Sequence, residues 1–295
     1  MKIYDCITYL DENMLLDVRL NTLNDYVDKF VIAESLYTHS GNKKKQNFDI
    51  NNFSKFKDKI HYILIENEAD NLFTIDGDTP ESSGKLRLNS LKRIEKQYNC
   101  LYEGIKESSD NDLILLSDCD EIPNLENFDN QKLKNEIILF KQKIFYYKFN
   151  LQHLSMEWFG TKGCKKKNLK TFNWLRNIKN KKYQFWRLDT YFSNNKYINV
   201  RTIENGGWHF SKVKNEKDIY YTLSNYGEHN EFEKSGLDTK KIKDLIDNQE
   251  LYFDHNLDKK SNDKYASKIK LKKQDLNILP KYLRENYSKY SDWIA

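Results

Sequence analysis

The chain has 295 residues, enough to bury one large core or two small ones. Charged residues make up 32% and the mean hydropathy is −0.86, yet 20 Tyr, 16 Phe and 5 Trp supply a core, and only 3 Pro and 10 Gly argue against long linkers or disorder. The net charge of +5 comes from clusters such as Lys43-Lys44-Lys45, Lys165-Lys166-Lys167 and Lys179-Asn180-Lys181-Lys182, and falls short of the basic excess expected of a nucleic-acid binder.

In chain order, residues 2–9 read as a strand, and Asp11 to Leu23 as a helix with Met14, Leu15 and Val18 on one face. A second strand runs from Lys29 to Ala33 and ends at Glu34-Ser35, and Ile60 to Ile65 form a third. Between Leu86 and Ser108, apolar residues at Leu88, Leu91, Ile94, Tyr98, Leu101, Tyr102 and Ile105 predict a long amphipathic helix packed on a sheet. It leads into Asp112-Leu-Ile-Leu-Leu-Ser-Asp118-Cys119-Asp120-Glu121-Ile-Pro123, an apolar run that breaks into three carboxylates and a proline.

That pattern describes a buried strand delivering acidic side chains to its carboxyl end, where an open α/β sheet binds ligands. In a D-x-D pair the side chains alternate along extended backbone, so both reach one hard cation only if the chain turns, and Pro123 is read as helping supply that turn. The chemistry this suits is transfer from a nucleotide-sugar, with a metal neutralising the departing diphosphate. The bland reading is a solvated loop or helix cap. Strands alternating with helices predict an α/β fold with a mostly parallel sheet covered on both sides. Right-handed crossovers would place the loops after residues 9, 34 and 117 along one edge, which puts Glu34 and Asp118 in one crevice.

The second half is less regular. Ile137 to Phe140 and Lys143 to Asn150 read as strands, followed by an aromatic and basic stretch with Trp158, Trp174 and Trp186. Tyr197 to Val200 is a further expected strand, and Asn205-Gly206-Gly207-Trp208-His209-Phe210-Ser211 a glycine-led turn. Helices are expected over Glu216 to Asn225 and Thr239 to Asn248, and the tail from Ile278 carries Leu279, Tyr282, Leu283, Tyr287, Tyr290 and Trp293 to pack back on the domain. No linker cuts the chain. The expectation is one domain, with a nucleotide-sugar half (1–125), an acceptor-side half (126–250) and a C-terminal tail (251–295). Cys6, Cys100, Cys119 and Cys164 form no C-x-x-C pair and read as free thiols of a reducing compartment. No leader or membrane span is visible in the sequence, so the expectation is a cytoplasmic protein, or one held at a surface by a partner.

Taken together, Tyr4-Asp-Cys, Asp28-Lys-Phe-Val-Ile-Ala-Glu34-Ser35, Thr38-His-Ser-Gly41, Asp118-Cys-Asp120-Glu121-Ile-Pro123, Gly206-Gly-Trp-His-Phe-Ser211 and Ser224…His229-Asn-Glu231-Phe232 resemble glycosyltransferase family 17. The resemblance runs from residue 1 to about residue 250. It implies a GT-A type, Rossmann-like mixed sheet flanked by helices, with an irregular acceptor-side half. It also implies a UDP-sugar donor, by default UDP-GlcNAc, a divalent metal such as Mn²⁺ (or Mg²⁺), a glycan acceptor and inversion at the anomeric carbon. Where family members commonly show Gln-Arg-Asn before the metal strand, this chain has Gln97-Tyr98-Asn99, with Arg87 and Arg93 one to three turns earlier.

By that resemblance Asp120 is the expected metal ligand, and Asp118 contacts the ribose, or the metal through water. Glu121 binds the metal, orients the acceptor or caps the turn. His209 completes the metal shell or holds a phosphate oxygen, against the alternative of a core histidine. Trp208 stacks on a sugar face or is buried. Thr8, Glu34, Arg93 and Asn99 are donor-binding candidates, with His229 and Glu231 further candidates for the site. An inverting transfer needs a carboxylate base near the acceptor hydroxyl, for which Glu157 and Asp189 fall in the right half. Two other classes remain open. A nucleotidyltransferase would want a glycine-rich phosphate loop that Thr8 to Glu12 lacks, and a non-catalytic carbohydrate-binding module would need no paired carboxylates.

Overall fold

Four runs of branched and aromatic residues form β1 (Ile3–Tyr9), β2 (Lys29–Ser35), β3 (Ile60–Ile65) and β4 (Leu113–Asp118), which pair in parallel in the order β3-β2-β1-β4. The computed structural model describes residues 1–129, 132–134, 136–181, 183–190, 192–193, 195–197, 199–255, 262–265 and 267–295; Lys182 of the third basic cluster and Ile198 of the expected strand at 197–200 lie outside them. Side chains alternate between the two faces of each strand. Ile3, Ile7, Phe30, Ile32, Leu113 and Leu115 meet helix α1 (Asn13–Leu23) and the C-terminal tail. Tyr4, Cys6, Val31, Ala33, Ile114 and Leu116 meet α2 (Pro80–Cys100) and α3 (Phe172–Asn177) on the other face.

Helix α2 starts earlier than its apolar spacing suggested. Pro80 occupies its first turn, and Thr79 Oγ1 caps it by accepting from Ser82 N at 3.1 Å. It ends at Cys100, where the chain tightens into a 3₁₀ segment, Leu101–Ile105. Leu88 is largely exposed, off the buried stripe.

The same sheet continues through the second half as β5 (Glu121–Pro123), β6 (Ile137–Tyr146), β7 (Leu151–Lys165), β8 (Val200–Ile203), β9 (Gly207–Ser211) and β10 (Lys272–Lys273). Beyond β4 the order is β7-β6-β9-β5, with β8 on β6 and β10 on β7, and the β4-β7, β6-β7 and β5-β9 pairs are antiparallel. The fold is therefore a mixed α/β sheet flanked by helices, as the sequence led us to expect. Three expectations change. The turn falls at Cys119-Asp120 and Pro123 lies inside β5, because Glu121 and Pro123 pair with His209 and Gly207. Two expected strands merge into one β6 that bends at a bulge between Leu139 and Lys141. The aromatic and basic stretch holds the long β7, whose register shifts against β6 erase the two-residue alternation by which strands are read.

Helices α4 (Glu216–Asn225), α5 (His229–Ser235) and α6 (Thr239–Asp247) close a third apolar cluster around Ile144, Tyr146 and Leu151, and α5 was not anticipated. The tail does return: Leu279, Leu283 and Tyr290 are buried against the α1 face, α7 (Lys281–Glu285) among them, while Tyr287 is exposed.

Candidate active site

The D-x-D turn rests on a buried cation. Arg19, on α1, is fully enclosed and forms a two-pronged pair with Asp5 (Nε to Oδ2 2.7 Å, Nη2 to Oδ1 2.6 Å). Its remaining donors reach Glu121 O at 2.6 Å, Ser117 Oγ at 3.0 Å and Asp118 O at 3.3 Å. A planar guanidinium can hold a carboxylate and several carbonyls at once, which fixes the turn from below.

Above it, Asp118 accepts from Thr8 Oγ1 at 3.3 Å and from the Tyr98 hydroxyl. Asp120 Oδ2 lies 3.4 Å from His209 Nε2, an approach set by the β5-β9 register that puts Glu121 opposite His209. Burial works to neutralise both groups. For His209 the Asp120 carboxylate outweighs it and the net shift is upward; for Asp120 the His209 and Lys212 cations outweigh it and the net shift is downward. His209 Nδ1 is buried with no partner among the described residues. Glu121 accepts from Asp118 N at 3.0 Å and from Trp158 Nε1 at 2.5 Å, and burial, with Asp118 beside it, pushes its carboxyl up to about 7.

Two cavities flank this turn. The first, about 210 Å³, is walled by the end of β1 and the residue after it (Thr8 to Leu10), Ser35 at the end of β2 with Tyr37 to His39 beyond it, the inner face of α2, and Glu12, Asp118, Asp120 and Lys212. The second, about 220 Å³, is lined by Glu121, Trp158, Phe159, Gly160 and Lys162. Tyr98, Asp118 and Arg176 belong to both. Arg176 comes from α3, and its guanidinium stands 5.1 Å from the Tyr98 ring centre. An arginine thus reaches Tyr98 from another element. In the first cavity His39 Nε2 is paired with Gln97 Oε1 at 2.9 Å and burial pulls its pKa down. In the second, burial pulls Lys162 down to about 8, its ammonium held by the carbonyls of Arg176 and Ile178.

The family model for glycosyltransferase family 17 matches residues 1–294. The chain belongs to glycosyltransferase family 17. A search of curated proteins finds no match. Among solved structures, HddC from Yersinia pseudotuberculosis is similar at 13% identity and a TM-score of 0.35, covering 72% of this chain and 91% of that one. A 2-C-methyl-D-erythritol 4-phosphate cytidylyltransferase from Francisella tularensis is similar at 13% identity and a TM-score of 0.34, covering 75% of this chain and 98% of that one.

Within this glycosyltransferase, Thr8, Asp118 and Asp120 line the first cavity, Glu121 lines the second, and His209 adjoins Asp120. Other residues singled out from the sequence lie elsewhere. Glu34 is fully buried outside the cavity; it accepts from Asn47 N at 2.7 Å, Phe48 N at 3.0 Å, the Tyr62 hydroxyl at 2.8 Å and the Lys44 ammonium, so its oxygens anchor the loop after β2. Trp208 points to the sheet face opposite its neighbour His209 and donates to Ile278 O at 2.6 Å, beneath the tail. Asn99 accepts from Asn173 N at 3.2 Å and ties α2 to α3, while Arg93 pairs with Glu68 at 2.6 Å.

Neither Glu157 nor Asp189, proposed as base, lines either of these two cavities. Glu157 is exposed and paired with Lys141 at 2.8 Å. Asp189 is exposed, and its hydrogen bonds from Arg187 and Lys196 hold it well below the usual carboxylate range, the opposite of what a base requires. His229 Nδ1 faces Tyr226 O at 3.1 Å, and Glu231 pairs with Lys264. Glu12, His39, Arg176 and Lys212 were not anticipated. His39 lies inside the Thr38-His-Ser-Gly41 motif without having been singled out, and Glu12, Arg176 and Lys212 sit on a turn or helix whose relation to the D-x-D exists only in three dimensions.

Proposed function

We propose that this family 17 enzyme is an inverting transferase that moves a sugar, with GlcNAc the first to test, from a UDP-sugar to a glycan acceptor with the help of a divalent cation. The observation carrying this reading is that the D-x-D turn stands between two cavities that share Tyr98, Asp118 and Arg176. One cavity suits the donor and the other the acceptor, with the reacting carbon at their common wall.

On this reading the nucleoside lies between Thr8–Leu10 and the Ser35 to His39 segment, and the diphosphate extends toward Asp118, Asp120 and Lys212. No group of three or more His, Cys, Asp and Glu side chains converges for a metal among the described residues. Asp120, with the His209 ring 3.4 Å away, nonetheless fits Mn²⁺ or Mg²⁺ as cations that take one or two protein ligands and complete their shell with phosphates and water. Such a cation would neutralise charge on the departing diphosphate. Lys212 and Arg176 are placed to share that task as fixed cations. In the second cavity Asp118 and Glu121 are the carboxylates. With Asp118 assigned to the donor, Glu121 is the group left to accept the proton of the acceptor hydroxyl, and the Trp158 and Phe159 rings offer faces for a sugar.

The test is thermal shift with a panel of UDP- and GDP-sugars, each with and without Mn²⁺, on the native chain and on Asp120→Asn. Stabilisation of the native chain by one UDP-sugar only with metal, lost in the variant, supports the reading and names the donor. Stabilisation that ignores metal would transfer the diphosphate to Lys212 and Arg176, and silence toward every nucleotide would overturn the assignment of the first cavity.

A further inference from the structure

Residues 161–200 carry eleven Lys and Arg against a single acid, Asp189, although the whole chain is only +5, so the rest of the molecule is net negative. Six of the eleven lie on β7, the turn after it and α3, and five, Lys179, Lys181, Lys182, Arg187 and Lys196, lie on the excursion that leaves α3, whose Arg176 lines both cavities, and returns to β8.

The excursion has an ordered base. Lys179 N donates to Asn195 O at 2.9 Å, Lys196 Nζ stands 5.9 Å from the Tyr183 ring centre, and Trp174 meets Tyr197 edge to face at 5.9 Å. Beyond this base the tip turns large apolar side chains outward. Phe185 is 73% exposed, Trp186 61%, Leu188 71% and Phe192 89%, and Phe185 and Trp186 touch edge to face at 5.0 Å. Nowhere else among the described residues do several aromatic and aliphatic side chains stand this far out together. The single acid is neutralised in place, bridged to Arg187 at 2.8 Å and Lys196 at 2.6 Å. Lys170, Lys179 and Lys181 around the base are exposed.

Exposed Trp and Phe on a segment flanked by lysines are what an anionic bilayer surface selects. Aromatic rings partition into the headgroup layer, and each nearby lysine gains from the negative surface potential. Four such side chains exposed within eight residues of one segment exceed the scattered apolar exposure of an ordinary solvated loop. No helix among the described residues is long and apolar enough to cross a membrane, so attachment through this tip would be peripheral.

We propose that the tip at Phe185, Trp186, Leu188 and Phe192, with the surrounding lysines, docks the enzyme on the surface of an anionic phospholipid bilayer. If the transferase reading above also holds, docking through a segment rooted beside Arg176 would present a lipid-borne acceptor to the second cavity.

The experiment is co-sedimentation of the full chain with neutral phosphatidylcholine vesicles and with vesicles containing about 30% phosphatidylglycerol, at low and high salt. It reads binding without turnover, so it can fail or succeed independently of the catalytic assignment. The expected result is binding to the anionic vesicles alone, weakened by salt. Trp186→Ser with Phe192→Ser should reduce it roughly tenfold, and Lys179→Ala with Lys181→Ala by about fivefold per lysine, with donor-induced thermal shifts unchanged in both. The proposal is overturned if the native chain stays in the supernatant, or if the aromatic variant binds as well as the native chain. It is equally overturned if the native chain prefers a nucleic-acid oligonucleotide to vesicles, or is a dimer that the aromatic substitutions dissociate without effect on sedimentation.

Discussion

In the parallel half of the sheet, Thr8, Ser35 and Asp118 reach the first cavity from the ends of β1, β2 and β4, because every parallel crossover returns the chain to the same edge. In the antiparallel half, Glu121, Trp158 and His209 meet for a different reason. β5 pairs with β9 in a register that sets Glu121 against His209, and β7 shifts register against β6, so that the Trp158 indole donates to Glu121. The first half places its groups by topology, which tolerates variation in each strand. The second places them by register, where a slip of one residue turns a side chain to the other face. The joint between the two is the turn at Cys119-Asp120, held by Arg19.

Breaking that joint should have the largest effect. Arg19→Met leaves Asp5 buried without its partner and frees the carbonyls of the turn, so chemical denaturation should show a loss of about 3–5 kcal/mol together with loss of turnover. Asp120→Asn should cost the fold less, losing only the pair with His209, and lower the turnover rate by roughly 10²–10³-fold, since it removes charge from the first cavity without disturbing the sheet. If the two variants proved alike in stability, the separation of joint from site would fail.

The antiparallel half can be probed by pH. His255 sits 2.8 Å from the Tyr146 hydroxyl and edge-on to Trp158, and burial, followed by the nearby His209 and His153, pulls its pKa down to about 4, with Asp254 opposing and Lys212 adding to the shift. A folded value below the unfolded one of about 6.5 means that the neutral ring contributes its full stability above pH 6.5 and that this is lost as pH falls toward 4. The loss should amount to about 3 kcal/mol, and His255→Gln should flatten that part of the Tm-against-pH curve. An unchanged slope would remove His255 from the account of this region.

Gly160→Ala is the gentlest probe. A Cβ there would run first into Gln142 Oε1 and would lie 2.8 Å from both Glu121 Cδ and Trp158 Cδ1, so accommodating it means moving all three side chains apart. A cost of about 1–3 kcal/mol is expected. Donor-induced thermal shift should survive while transfer falls, whereas loss of both would join the two cavities more tightly than their shared wall suggests.

How much of this was legible follows the same division. The four parallel strands, their edge and the carboxylates at Asp118 and Asp120 could be read from apolar runs that end in acids. Glu34 shows the limit of that reading. It does end a buried strand, as expected, but the loop after it folds back and its oxygens are taken by Asn47, Phe48 and Tyr62. Trp208 and His209 were each given a site role and a buried alternative, and alternation along β9 sends them to opposite faces. The choice of Glu157 and Asp189 as bases rested on their place in the chain alone, whereas Glu121, three residues past Asp118, lines the second cavity with it.

By itself the sequence determined the class of sheet, the helices on both faces, the position of the acidic strand end and the membership of a transferase family, because these depend on local periodicity and on short motifs. Only the tertiary structure decided that Arg19 and Asp5 hold the turn, that Arg176 from a distant helix reaches Tyr98, that Trp158 faces Glu121, and that the basic segment carries its aromatic side chains outward. Those relations join residues far apart in the chain through strand register and helix placement, and a pattern read along one dimension carries neither.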